Sequence, residues 1–375
     1  MITLPKLCRY DFLIVGAGLF GCVFARQAAE RGKRVLVIDS RDHIGGNCYT
    51  EVREGIPVHI YGPHLFHCAK KEIWDYVNRF AEFNRFSLRT KVTHSGRVFS
   101  FPVNLMTLNQ LWGVRTPEEA ERKLAEVRVP CADPKNLEEW ALAQVGEELY
   151  ETFIRGYTAK QWGRDPKCLP TGIIKRLPIR LTYNDRYFHD SHRYEGVPIG
   201  GYTPMFAAML DHTNIHLRLG VDYFEECKNS LSDKAERIVY TGPIDKLFSY
   251  CYGRLDYRSL RFEHEARDGD FQGCAVMNYT EESVPYTRIV EHKHFECLNN
   301  PRTIITHEFP DEYGPGKVPY YPVGDEANSA LYTQYRHLAD VFPTTILGGR
   351  LADYRYYDMH QVLASALHSA EVHVA

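Results

Sequence analysis

The chain lacks several features that would decide its class at once. No stretch approaches 18 consecutive apolar residues, and no apolar segment of signal-peptide type precedes the first strand-like run. A membrane span and a secretory leader are therefore not expected, and a cytoplasmic location is. Ten cysteines are scattered with no C-x-x-C pair and no zinc-ligand spacing, which suits reduced packing thiols. The formal net charge is only -3, so no global basic field for nucleic acid exists, and any phosphate must be held by individual arginines. Internal repeats and low-complexity linkers are absent too. With 375 residues, the chain has room for a large core divided among two or three domains.

What is present begins at residue 10. Phe12 to Val15 is a short apolar, β-rich run, as a buried parallel strand requires. Gly16, Gly18 and Gly21 follow with G-x-G-x-x-G spacing, Leu19 to Arg31 reads as a helix, and a second strand runs from Arg34 to Ile38. Gly16 serves the tight turn, Gly18 lets the backbone approach a pyrophosphate, and Gly21 lets helix and strand pack closely. The helix N-terminus offers free N–H groups to the anion. Asp39 closes the second strand about 20 residues on, where a carboxylate accepts from ribose hydroxyls. A dinucleotide site follows. Gly45-Gly46-Asn47 resembles the second glycine turn of FAD proteins of the glutathione reductase and amine oxidase group, and that resemblance implies FAD.

Further along, residues 57–67 predict a strand and turn bringing His64 and His67 to one place. Residues 70–83 read as an amphipathic helix, and Lys91 to Phe101, with Ser95-Gly96, as a β-hairpin. Thr116-Pro117-Glu118-Glu119 is a capping box opening a helix to about Val127. Asn136-Leu137-Glu138-Glu139 opens another, broken near Gly146, that runs to Lys160. Helix starts at Met205, strands at Ile215–Leu219 and Arg237–Tyr240, an antiparallel sheet over residues 255–310, and a helix from Met359 complete the pattern.

A family resemblance is carried by Gly62-Pro63-His64-Leu65-Phe66-His67, Tyr157-Thr158-Ala159-Lys160-Gln161-Trp162-Gly163, Arg176-Leu177-Pro178-Ile179-Arg180, Tyr183-Asn184-Asp185-Arg186-Tyr187-Phe188, Gly200-Gly201-Tyr202-Thr203, Tyr286-Thr287-Arg288, Glu291-His292-Lys293-His294-Phe295, Tyr320-Tyr321-Pro322, and Gly349-Arg350-Leu351 with Tyr354-Arg355-Tyr356-Tyr357-Asp358-Met359. In order and spacing they resemble bacterial UDP-galactopyranose mutase over nearly the whole chain.

The resemblance implies an α/β fold with discontinuous parts. A Rossmann-like FAD-binding domain takes residues 8–81, 189–244 and 323–375; a helical domain takes residues 101–175, with a mobile loop at about 165–178; an antiparallel sheet domain takes residues 82–100, 176–188 and 245–322. It also implies interconversion of UDP-galactopyranose and UDP-galactofuranose by attack of reduced-flavin N5 on the anomeric carbon, UDP release and ring contraction. A homodimer is implied as well.

Residue roles carry over in the same way. Arg176 and Arg288 would clamp the diphosphate, because a guanidinium fork matches phosphate oxygens. Arg176 would close inward as a lid. Phe153, Tyr157, Thr158 and Trp162 would hold uracil and sugar; Tyr187, Asn278, Tyr321, Tyr356 and Asp358 would line the diphosphate. FAD would be held by Gly16, Gly18, Phe20, Gly21, Asp39, Ser40, Gly45, Gly46, Asn47, His64, Leu65, Val221, Gly349, Arg350, Tyr356, Asp358 and Met359. His64 is also a candidate for proton transfer. No third metal ligand is apparent near His64 and His67 in the chain, so no metal is expected.

Three other functions share parts of this pattern. A flavin oxidase or desaturase needs the first 47 residues but not the arginine clamp. A protein that merely retains FAD would show no turnover. A mutase for UDP-N-acetylgalactosamine or a dTDP-sugar differs in a few pocket atoms, and His64, being shorter than a long cation, favours unmodified galactose.

Overall fold

Tyr10–Val15 forms the centre of a five-stranded parallel sheet in the computed structural model, which describes residues 10–173, 179–226 and 234–374. It pairs with Val35–Ile38 on one side and Ala235–Tyr240 on the other; Ile215–Arg218 and Thr345–Leu347 form the edges. The strands are thus supplied by widely separated stretches of chain. Helix Leu19–Glu30 packs its apolar face against the C-terminal helix Met359–His373 and against Tyr202–Leu210, burying Phe24, Phe206 and Leu363 in one core. Contiguous burial on both faces explains why these strands read as unbroken apolar runs.

A second, seven-stranded sheet has Tyr257–Asp268 and Arg302–Glu312 as its long antiparallel pair. Its far edge is the expected hairpin, Thr90–His94 and Arg97–Phe101, with Ser95 and Gly96 both at positive φ in the turn. The sheet is not wholly antiparallel: Val276–Tyr279 pairs parallel with Thr90–His94, because the hairpin enters from an earlier part of the chain.

The helical part follows the capping signals. Pro117–Val127 starts from Thr116 with its capping box to Glu119. Leu137–Leu149 starts from Asn136 and leaves helical geometry at Gly146, where φ is 78°. A Cβ there would lie 2.4 Å from the Val127 carbonyl oxygen, so the break is where two helices cross too closely for a side chain. The backbone then widens into a π-helix over Tyr150–Arg155 before Gly156–Trp162 resumes α geometry.

The helix expected over residues 70–83 ends earlier, at Val77, and tightens into i→i+3 turns at Arg79 and Phe80. Two helices, Leu105–Trp112 and Glu326–Ala339, escape the periodicity reading although Asn104 and Asp325 cap them through their side chains.

Candidate functional site: a glycine-lined cleft opening onto an arginine-bearing cavity

The glycine turn after Val15 builds the floor of a cleft of about 460 Å³. Gly16 sits at φ 112°, and a side chain there would strike the Thr241 hydroxyl. The helix that follows has no side-chain cap and no acidic residue in its first turn, leaving its N–H groups for an anion. Asp39 accepts from the Ala17 N–H at 2.7 Å and from the Arg41 N–H at 2.9 Å, which holds its carboxylate beside the turn. The second glycine turn closes against the first: the Gly45 N–H donates to the Ala17 carbonyl at 2.8 Å, and a Cβ on Gly46 would come within 3.1 Å of Gly18.

Of the residues expected to hold the dinucleotide, Gly16, Gly18, Phe20, Gly21, Asp39, Ser40, Gly45, Gly46, Asn47, His64, Val221, Gly349, Arg350 and Met359 line this cleft. Leu65, Tyr356 and Asp358 line the neighbouring cavity instead. Arg41 is a cleft residue that sequence reasoning misses, though a base two positions past the strand-end acid is a usable signal. Its Nη2 donates to the Asn47 side chain at 2.9 Å, while its Nη1 is shielded from solvent without a partner among the described residues. An unpartnered buried guanidinium nitrogen in a glycine-lined cleft is a donor set for an anionic ligand.

The neighbouring cavity holds about 620 Å³, and His64, Arg350 and Met359 line both spaces. Arg288 and Glu308 face each other in register on adjacent strands, and their side chains meet at 2.8 Å. Although burial opposes its charge, Glu308 and neighbouring phenols hold the Arg288 guanidinium firmly protonated. Its Nε has no partner among the described residues. Tyr321 stacks on Tyr356 at 5.5 Å, and Arg350 lies 5.0 Å over the Tyr356 ring. Burial, and then Glu308, pushes the Tyr321 phenol up, so it remains a proton donor. Arg350 is fixed by the carbonyls of Tyr320 and Tyr357. Asn278 lines the cavity but commits its amide to the Lys91 carbonyl at 3.1 Å.

Phe153, Tyr157, Thr158 and Trp162 line a smaller extension of about 100 Å³, shared with Tyr187, Asn278, Arg288, Tyr321 and Tyr356. Phe153 also packs edge-on against Phe99 in the helical core. Arg176 lies outside the described residues, as does part of the loop expected at 165–178, so the two-arginine clamp is described at Arg288 only.

His64 donates from Nδ1 to the Gly62 carbonyl at 2.8 Å, which leaves Nε2 an acceptor. Burial first, with Arg350 and Arg288 adding to it, pushes its pKa down to about 4. The imidazole is therefore neutral at physiological pH, with Nε2 available to accept a hydrogen bond. His67 lines the same cavity but bonds to His192, with His360 beside both; His64 is not part of this group. The three histidines are too far apart in the chain for spacing to reveal them. Asp358 lines the cavity at the N-terminus of helix Met359–His373, where its backbone N–H donates to the Gln361 side chain at 2.9 Å.

Known proteins resemble this chain at several levels. A profile of the family described as UDP-galactopyranose mutase matches residues 152–356, and one described as NAD(P)-binding Rossmann-like domain matches residues 14–80. A probable UDP-galactopyranose mutase of Klebsiella pneumoniae is 43% identical over 96% of this chain and 94% of its own length. A dTDP-fucopyranose mutase of Escherichia coli is 40% identical over 96% and 98%, respectively. The UDP-galactopyranose mutase of Mycoplasma pneumoniae is 32% identical over 97% and 96%. The fold matches a crystal structure of reduced UDP-galactopyranose mutase with a TM-score of 0.76 at 15% identity, covering 96% of this chain and 95% of that one.

Proposed function

This chain belongs to the UDP-galactopyranose mutase family, and we propose that it interconverts UDP-galactopyranose and UDP-galactofuranose with reduced FAD. The observation that carries this reading is the shared wall. His64, Arg350 and Met359 line both the glycine cleft and the arginine-bearing cavity, so a ring extending from one meets a ligand held in the other. FAD fits the cleft on chemical grounds: two abutting glycine turns and an uncapped helix N-terminus suit a diphosphate, Asp39 a ribose, and the free nitrogen of Arg41 an anion. Bound in this cleft and reduced, FAD would supply the electron pair for a bond to the sugar's anomeric carbon, the bond from that carbon to UDP breaking with its electrons leaving on the diphosphate.

The chain's own residues then hold the pieces. Arg288, anchored by Glu308, with Arg176 as the second arm, grips the diphosphate through departure and return. Tyr321 donates to phosphate oxygens without adding negative charge. Tyr157 and Phe153 flank the uracil, and Trp162 closes the sugar side. Neutral His64 offers Nε2 to a sugar hydroxyl, and Arg350 favours the electron-rich form of the flavin through its charge.

The test is chromatographic turnover of UDP-galactofuranose with the flavin oxidised and then reduced by dithionite. Conversion to UDP-galactopyranose in the reduced state alone is expected; a full complement of FAD with no conversion in either state would sink galactose as the substrate. The Escherichia coli relative gives a second reading some weight, namely turnover of a dTDP-linked 6-deoxy sugar. The same assay with dTDP-fucofuranose separates the two by kcat/KM.

Gly21→Ala is expected to purify folded but without flavin absorbance, since its Cβ would fall 2.0 Å from the Gly16 carbonyl oxygen and force the helix off the turn. A yellow Gly21→Ala protein would count against this cleft as the flavin site.

A further inference from the structure

Three histidines from distant parts of the chain meet at the cavity wall. His67 Nδ1 lies 2.6 Å from His192 Nδ1, and the His360 ring centroid lies 5.0 Å from each of the other two. One ligand nitrogen from each falls within 4.8 Å of the others. Packing explains part of this arrangement: Phe188 stacks on His67 with centroids 3.6 Å apart. It does not explain the third ring. His360 Nδ1 is shielded from solvent and has no hydrogen-bond partner among the described residues, and a buried imidazole nitrogen left bare is costly unless something occupies it.

We propose that His67, His192 and His360 form a binding site for a divalent transition-metal ion, zinc by preference, in the wall of the nucleotide-sugar cavity. Three neutral imidazoles with one open position are a donor set zinc accepts, whereas calcium and magnesium prefer oxygen. Zinc–nitrogen bonds of about 2.0–2.1 Å in tetrahedral geometry separate ligand nitrogens by roughly 3.3 Å. His67 and His192 therefore move apart by less than about 1 Å as the ion replaces their hydrogen bond, and His360 moves in. Asp358 places its negative charge near both His192 and His360, which favours a cation there. His67 and His192 line the cavity itself, so the ion has an entry path.

Calorimetric titration of the holoenzyme with zinc chloride tests this. One tight equivalent is expected for the unaltered chain and for His337→Ala, whose exposed imidazole lies on helix Glu326–Ala339. His192→Ala and His360→Ala should each weaken that site by more than about 100-fold, beyond what loss of a supporting group does. Retention of the tight site in either variant overturns the proposal. A zinc-edge anomalous difference map of soaked crystals gives an answer independent of variant folding. A peak between the three imidazoles is expected, and its absence there overturns the assignment.

Discussion

Replacing Arg288 with alanine is expected to lower kcat/KM for UDP-galactofuranose by about 10²–10³-fold, the range for removing one preorganised charge from a dry site. The guanidinium of this cavity-lining residue is held against Glu308 at 2.8 Å, and its Nε is buried without a hydrogen-bond partner among the described residues. Truncation also leaves the Glu308 carboxylate buried and unpaired, a destabilisation of about 3–5 kcal/mol. Activity and stability must therefore be separated. Arg288→Ala/Glu308→Ala removes the orphaned charge, so its urea midpoint should recover while turnover stays low. Arg288→Lys keeps the charge but loses the fork, and should fall between the wild type and the alanine variant. Steady-state rates with dithionite-reduced enzyme decide the matter. A single alanine variant within about threefold of wild type would remove Arg288 from the diphosphate grip.

Mild acid should destabilise this protein above the pH at which ordinary carboxylates titrate. His59, His67 and His292 are buried, and burial pushes His59 down to about 3, His67 to about 2 and His292 well below its ordinary value. Their hydrogen bonds require the neutral form. His59 Nδ1 accepts from the His64 N–H at 3.0 Å, and His292 Nδ1 accepts from the His59 N–H at 3.3 Å. Below about pH 6.5 the unfolded chain takes up protons that the folded chain refuses, so stability falls with pH. Each group removes about 1.4 kcal/mol per pH unit in that window.

Together the three make a loss of about 4 kcal/mol between pH 7.5 and 5.5, large against a typical 5–15 kcal/mol. Urea denaturation at the two pH values measures it, and His59→Gln should reduce the difference by about a third. Equal stability at pH 7.5 and 5.5 would mean that these imidazoles are not held neutral by the fold.

Much of the cleft was legible from residues 10–47 because its determinants are local. A positive φ at Gly16, the hairpin turn at Ser95-Gly96, the capping box at Thr116 and the side-chain cap at Asn136, where the Glu139 carboxylate takes the Lys135 N–H instead of completing a box, each depend on a few neighbouring residues. Spacing within one strand–turn–helix unit suffices to announce them. The helix break at Gly146 was legible as a glycine, but its cause, the Val127 carbonyl 2.4 Å from where a Cβ would sit, belongs to a helix crossing.

The sequence by itself therefore determined the backbone turns that cradle a dinucleotide and, through the ordered motifs, the family. Only the tertiary structure decided which charges and ring nitrogens meet. Glu308 faces Arg288 because two strands 20 residues apart pair in that register, and a slip of one residue would turn Glu308 to the other face. His67, His192 and His360 converge because a two-stranded ladder joins Phe66–Cys68 to Tyr194–Gly196 while the C-terminal helix packs alongside. Contacts of that kind are set by sheet register and core packing over the whole chain, and no local spacing encodes them.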